Sequence, residues 1–107
     1  MSLANTPKPP YYAVIFSSIR GNDDEEYHIM AKKMDELAML QSGYLGFETA
    51  RDMVGVSVSY WESLEAIQKW KQNIAHLEAQ EKGKSQWYKN YKVRVALVER
   101  EYSFDKS

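Results

Sequence analysis

The sequence predicts an α+β fold with ferredoxin-like β-α-β-β-α-β order, and three observations carry that prediction. Four segments rich in β-branched and aromatic residues are separated by one turn-like stretch and two stretches of helical period. All three prolines lie within the first ten residues, so residues 11–104 read as one unit of regular elements. The strand segments are apolar on both faces, whereas two helices can cover only one. A second copy of the chain would cover the other, two sheets closing into a dimeric α+β barrel.

The elements follow in order. Residues 1–10, MSLANTPKPP, read as a disordered or extended leader. Residues 11–19, YYAVIFSSI, are expected as a strand buried on both sides. The turn at 21–24 leads into a helix, with Asp23 and Glu26 spaced as a capping box. That helix turns Tyr27, Met30, Met34 and Leu37 inward and His28, Lys32 and Asp35 outward, and Gly43 is placed to end it. Residues 44–51 and 55–61 form a hairpin across the short link 52–54. Ser63 is the N-cap of a second helix, with Glu65 in its first turn, a bend near Gln72 and Asn73, and a stop at Gly83. A short turn then carries Trp87 and Tyr88, and residues 91–102 are the last strand.

Composition narrows the function classes. The net charge is −1 and no segment concentrates Lys or Arg, so nucleic acid and anionic membranes have no electrostatic case as partners. No apolar run approaches the roughly 18 residues of a membrane span. The leader lacks the basic and apolar regions of a signal peptide. The chain has no cysteine, which excludes disulfides and thiolate chemistry and fits a reducing, cytoplasmic setting. Acidic residues show no metal-ligand spacing, and the scattered glycines form no phosphate loop, so neither a metal nor a cofactor is expected.

The densest chemistry lies between Trp70 and Tyr91. On a helix, Asn73, His76 and Gln80 form a polar stripe, while Ile67, Trp70, Ile74 and Leu77 form an apolar stripe on a neighbouring face. Such a helix can pack on a sheet and still present an imidazole and two amides to a small-molecule pocket. His76 would serve as base, or else as a structural histidine bonded to a carbonyl or to Tyr88. Asn73 and Gln80 would be donors to a carbonyl or reduced oxygen, or else helix and dimer contacts. Trp61, Trp70, Trp87 and Tyr88 would line a flat pocket for an aromatic ligand, or else form core. Arg51 and Arg94 would anchor an anionic group, or else pair with Glu99 or Glu101 between subunits.

The segment SVSYWESLEAIQKWK, followed by His76, Ala79, Gln80, Gly83, Trp87, Tyr88 and Tyr91 in an H-x-x-A-Q…G…W-Y…Y pattern, resembles the antibiotic biosynthesis monooxygenase family of dimeric α+β barrels. The resemblance spans most of residues 12–102 and implies a homodimer. It implies one of two activities. The first is cofactor-independent oxygenation of a planar phenolic or quinone-like molecule, in which the deprotonated substrate itself reduces oxygen. The second is haem degradation, for which Trp70 matches a family tryptophan. Against the second, the haem-ligand histidine would fall near Gln80, and the first strand has no asparagine. Haem binding through another ligand, and a dimer that binds a ligand without catalysis, stay open as alternatives.

Overall fold

Each run expected as a strand forms one: β1 (Tyr11–Arg20), β2 (Tyr44–Arg51), β3 (Gly55–Trp61) and β4 (Tyr88–Val98), with helices α1 (Glu25–Met39) and α2 (Leu64–Glu81) between them. The computed structural model describes residues 3–21, 25–81 and 88–106, and within them the side chains other than those of Glu26, Tyr27 and residues 76–81. The sheet order is β2-β3-β1-β4, with all neighbours antiparallel. β3 thus splits the parallel pair β1 and β2, which is the ferredoxin-like arrangement predicted.

Helix α2 starts where expected. Ser63 Oγ accepts the Ala66 N–H at 3.0 Å, while the Ser63 carbonyl takes the first intrahelical bond, from Ile67 N–H at 3.3 Å. The helix then runs unbroken through Gln72 and Asn73, where a bend was expected. The expected stop at Gly83 and the capping box at Asp23 lie outside the described residues.

Two boundaries differ from expectation. α1 ends at Met39, and Gly43 instead occupies the third position of a turn closed by Tyr44 N–H to Gln41 C=O at 3.3 Å. Its φ of +90° is the left-handed value that a type II turn requires there. A Cβ on Gly43 would also lie 2.7 Å from Ala66 Cβ. β4 runs Tyr88–Val98 rather than 91–102. Tyr88 gains a partner because β1 continues past an irregularity to Arg20, and the strand stops at Val98 because its partner Tyr11 is the first residue of β1.

Register assigns the faces. Cross-strand partners share a face, and Tyr12, Val14, Trp61, Ala38, Ala66 and Ile67 pack together in or against the core. The helices therefore lie over the rows Tyr44–Trp61–Tyr12–Leu97, Phe47–Ser59–Val14–Val95, Thr49–Ser57–Phe16–Val93 and Arg51–Gly55–Ser18–Tyr91. The first two rows are largely apolar and the last two carry hydroxyls and a guanidinium. α1 lies nearest β2 and α2 nearest β3, so the edge strand β4 is poorly covered. Tyr91, Val93, Val95 and Leu97 remain 42–50% exposed.

On the opposite face, Tyr11 and Ala13 are buried. The leader contributes there: Ala4 N–H donates to Glu48 Oε2 at 2.9 Å, and Thr6 Oγ1 donates to Glu101 Oε2 at 2.9 Å.

Candidate functional site

The aromatic residues that the sequence crowds together separate into two clusters on the helix side of the sheet. At one end, Trp61 stacks on Trp70 with ring centroids 4.8 Å apart and meets Tyr44 edge-on at 5.7 Å. Trp61 is fully buried and donates its indole N–H to Ser59 Oγ at 2.8 Å. It is a core residue, so a ligand would have to displace packed side chains to touch it. Trp70 is only partly buried, yet its Nε1 is buried and has no hydrogen-bond partner among the described residues.

The second cluster lies about four residues further along β1, roughly 13 Å away at strand rise. Phe16 stacks on Tyr91 at 5.3 Å and meets Tyr88 edge-on at 5.4 Å, and the two tyrosines are 5.8 Å apart. Beside this trio lie the Thr49–Ser57 hydroxyl pair at 2.9 Å and Arg51, which donates through Nη2 to the buried Ser18 hydroxyl. α2 leaves the Trp61 end and leads back to Tyr88, so its C-terminal half, which carries positions 76 and 80, runs toward this second cluster.

Asn73 is exposed and donates from Nδ2 to Gln41 Oε1 at 3.1 Å; Gln41 in turn donates to the Leu37 carbonyl at 3.1 Å. That chain ties the middle of α2 to the end of α1. The His76 and Gln80 side chains and the whole of Trp87 lie outside the described residues. Arg51 and Arg94 stand on opposite faces, since Arg51 shares the Ser18 row and Arg94 pairs with Ile15. Arg94 lines an open cleft of about 360 Å³ with Ser17, Ile19, Asn90 and Lys92. Glu101 Oε2 accepts the Thr6 and Tyr11 hydroxyls of its own chain.

Two features escaped the sequence reading. One is the Arg51–Gly55–Ser18 row, legible only once the strands are in register. The other is a tyrosine–carboxylate network on the face away from the helices. Tyr11 OH donates to Glu101 Oε2 at 2.7 Å and Tyr60 OH to Glu48 Oε1 at 2.8 Å, and the two rings meet edge-on at 5.8 Å. Burial, followed by the bond to Glu48, pushes the Tyr60 phenol up to about 12, and burial also raises Tyr11. Both phenols are therefore neutral donors at neutral pH. Among the described residues, no group of three or more acidic or histidine side chains could hold a metal ion, and no helix is long and apolar enough to cross a membrane.

A split-βαβ sheet with a half-open aromatic and polar floor beneath two helices defines a small α+β domain of ferredoxin-like fold. Residues 10–82 match the antibiotic biosynthesis monooxygenase family, and the chain belongs to that family. It is 48% identical over 107 residues to YqjZ of Bacillus subtilis (strain 168), covering 98% of this chain and 94% of that protein. The cofactor-independent oxygenase SnoaB from Streptomyces nogalater shares the fold, with a TM-score of 0.66 at 10% identity over 92% of this chain and 100% of SnoaB. PA3566 from Pseudomonas aeruginosa does so with a TM-score of 0.59 at 14% identity, over 90% of this chain and 99% of that one.

Proposed function

We propose that the protein is a cytoplasmic, homodimeric, cofactor-independent monooxygenase acting on a planar phenolic or quinone-like molecule. The observation that carries this reading is the Trp70 indole N–H, buried on the helix side of the sheet without an acceptor among the described residues. A buried donor left unpaired costs about 1–3 kcal/mol, and a phenolic or quinone oxygen would relieve that cost. Membership of the monooxygenase family supports the reaction class, as does the shared fold of a cofactor-independent oxygenase.

In this reading His76 takes the phenolic proton, and the resulting electron-rich ring reduces oxygen directly. One oxygen atom enters the substrate as a carbonyl in place of a methylene's two hydrogens, and the other leaves as water. Gln80 orients oxygen or substrate, and Asn73 joins it by exchanging its exposed bond to Gln41 for one to the ligand. A ligand of several fused rings extends from Trp70 at one end of the floor to Tyr88 at the other, Trp87 helps keep water out, and Trp61 backs Trp70 from the core. A second copy covers Val93, Val95 and Leu97 of the half-exposed β4 stripe and leaves Tyr91 to the ligand.

The test is oxygen consumption with a panel of hydroxylated quinols and anthrones, corrected for uncatalysed oxidation. His76→Ala should lower kcat by about 10²–10⁴-fold while its melting temperature stays near that of the parent. Uptake no faster than the uncatalysed rate would remove the enzymatic reading. Full activity in the variant would remove His76 from the mechanism.

A further inference from the structure

We propose that Arg51 is an anion anchor that selects aromatic ligands carrying a carboxylate; this rests on the reading that a planar aromatic molecule binds on the helix side of the sheet. Arg51 is the last residue of β2 and is exposed, yet it is not left to sway. Its Nη2 donates to the Oγ of Ser18, which is only 2% exposed and lies two strands away on β1. The side chain reaches Ser18 by crossing β3 at Gly55, which is paired with both Arg51 and Ser18. A Cβ on Gly55 would overlap the guanidinium. Glycine thus leaves a trough in the middle of the sheet, and the arginine lies in it.

Holding the guanidinium this way removes in advance much of the rotamer freedom that an exposed arginine loses on binding. One of its five N–H donors goes to Ser18. Among the described residues no carboxylate pairs with Arg51, so its outer edge keeps the parallel donors that grip a carboxylate in bidentate fashion. The adjoining open cleft, about 500 Å³, is also lined by Arg20 and Asp52. Those two charges offset each other and leave one net positive charge, which suits a monoanion better than a phosphate dianion.

The aromatic half of the ligand has its place one strand further. Tyr91 is the cross-strand partner of Ser18, and Phe16, two residues earlier on the same face, stacks on it. A ring resting against this pair would put a substituent within about one strand spacing, roughly 5 Å, of the guanidinium. The Thr49–Ser57 hydroxyl pair in the next row supplies further polar floor.

The experiment is calorimetric titration of hydroxynaphthoate and of the matching naphthol, which differ only in the carboxylate, into the full-length protein and into Arg51→Gln, Gly55→Ala and Ser18→Ala. Gly55→Ala is expected to fold, because the atoms nearest the added methyl belong to the movable end of Arg51 and Gly55 has no left-handed backbone. The parent protein should bind the acid about tenfold more tightly than the naphthol, the scale of one charge-assisted contact. Arg51→Gln and Gly55→Ala should each erase most of that preference and leave naphthol affinity unchanged, with Ser18→Ala in between. Equal binding of both probes by the parent would overturn the anchor and leave the aromatic site standing. A preference that persists in Arg51→Gln would overturn the anchor too, making Arg51 a staple between strands. Binding of neither probe would remove the aromatic site and the anchor together.

Discussion

Single residues on the face away from the helices make the sharpest pH prediction. Tyr60 donates to one oxygen of Glu48, and the other oxygen accepts the Ala4 N–H, so one carboxylate ties β3 and the leader to β2. Desolvation first, then the bond to Glu48, holds the Tyr60 phenol at about 12 against the usual 10. A folded-state value above the unfolded one means that the folded protein keeps the proton longer. The stabilisation is fully present below about pH 10 and is lost as pH rises through about 12. Tyr60→Phe should therefore be less stable than the parent by about 1 kcal/mol at neutral pH, the lower end for a bond to a charged group that is partly exposed. That difference should shrink between about pH 10 and 12, as read from urea unfolding of both proteins at each pH. A constant difference across the window would mean that the phenol does not titrate against Glu48. The network was not legible in the sequence because Tyr60 and Glu48 meet through strand register and carry no motif.

At the scale of elements, what local chemistry sets could be read and what partners set could not. Ser63 announced the start of α2 because a hydroxyl before a helical stripe has one job that needs no tertiary contact. The hairpin 44–61 was legible for the same reason. The ends of β4 were not, because they depend on where β1 offers partners: Arg20 at one end and Tyr11 at the other. Gly43 signalled a left-handed residue correctly but not its turn, which lies four residues past the last residue of α1. The cap carries a prediction of its own. Ser63→Ala removes the acceptor for Ala66 N–H, and the exposed Glu65–Lys69 pair at 3.8 Å is too weak to replace it. The expected loss is about 1 kcal/mol, within the range for such caps. It should appear as a lower urea midpoint at an unchanged m-value, whereas a midpoint equal to the parent's would show that another group caps the helix.

At the scale of the molecule, the helix side of the sheet grades from an aromatic core at Trp61 to a polar, half-open floor at Arg51. The sequence names the residue types of a candidate site but not how the strands divide them between the two faces. Arg51 and Arg94 look alike in the chain and differ only in strand parity, which sends one to the helix side of the sheet and the other to the opposite face. The sequence leaves Trp61 and Trp70 each open as pocket lining or core; Trp61 is core, and of the two only Trp70 keeps a polar atom without a partner among the described residues. The two-faced strands call for a covering partner, and among the described residues an exposed apolar stripe lies on the helix side of β4. Val93, Val95 and Leu97 alternate along this edge strand and form the apolar surface that the proposed homodimer would bury. Val95 is central in that stripe and 50% exposed, so a charge placed there should cost the monomer little and the dimer much. Sedimentation equilibrium should give the parent twice the 12.5 kDa chain mass, and Val95→Asp should shift it toward the single-chain mass with an unchanged circular dichroism spectrum. A parent protein that sediments as one chain would refute the dimer. A Val95→Asp variant that remains fully dimeric would move the interface off this stripe to another surface of the sheet.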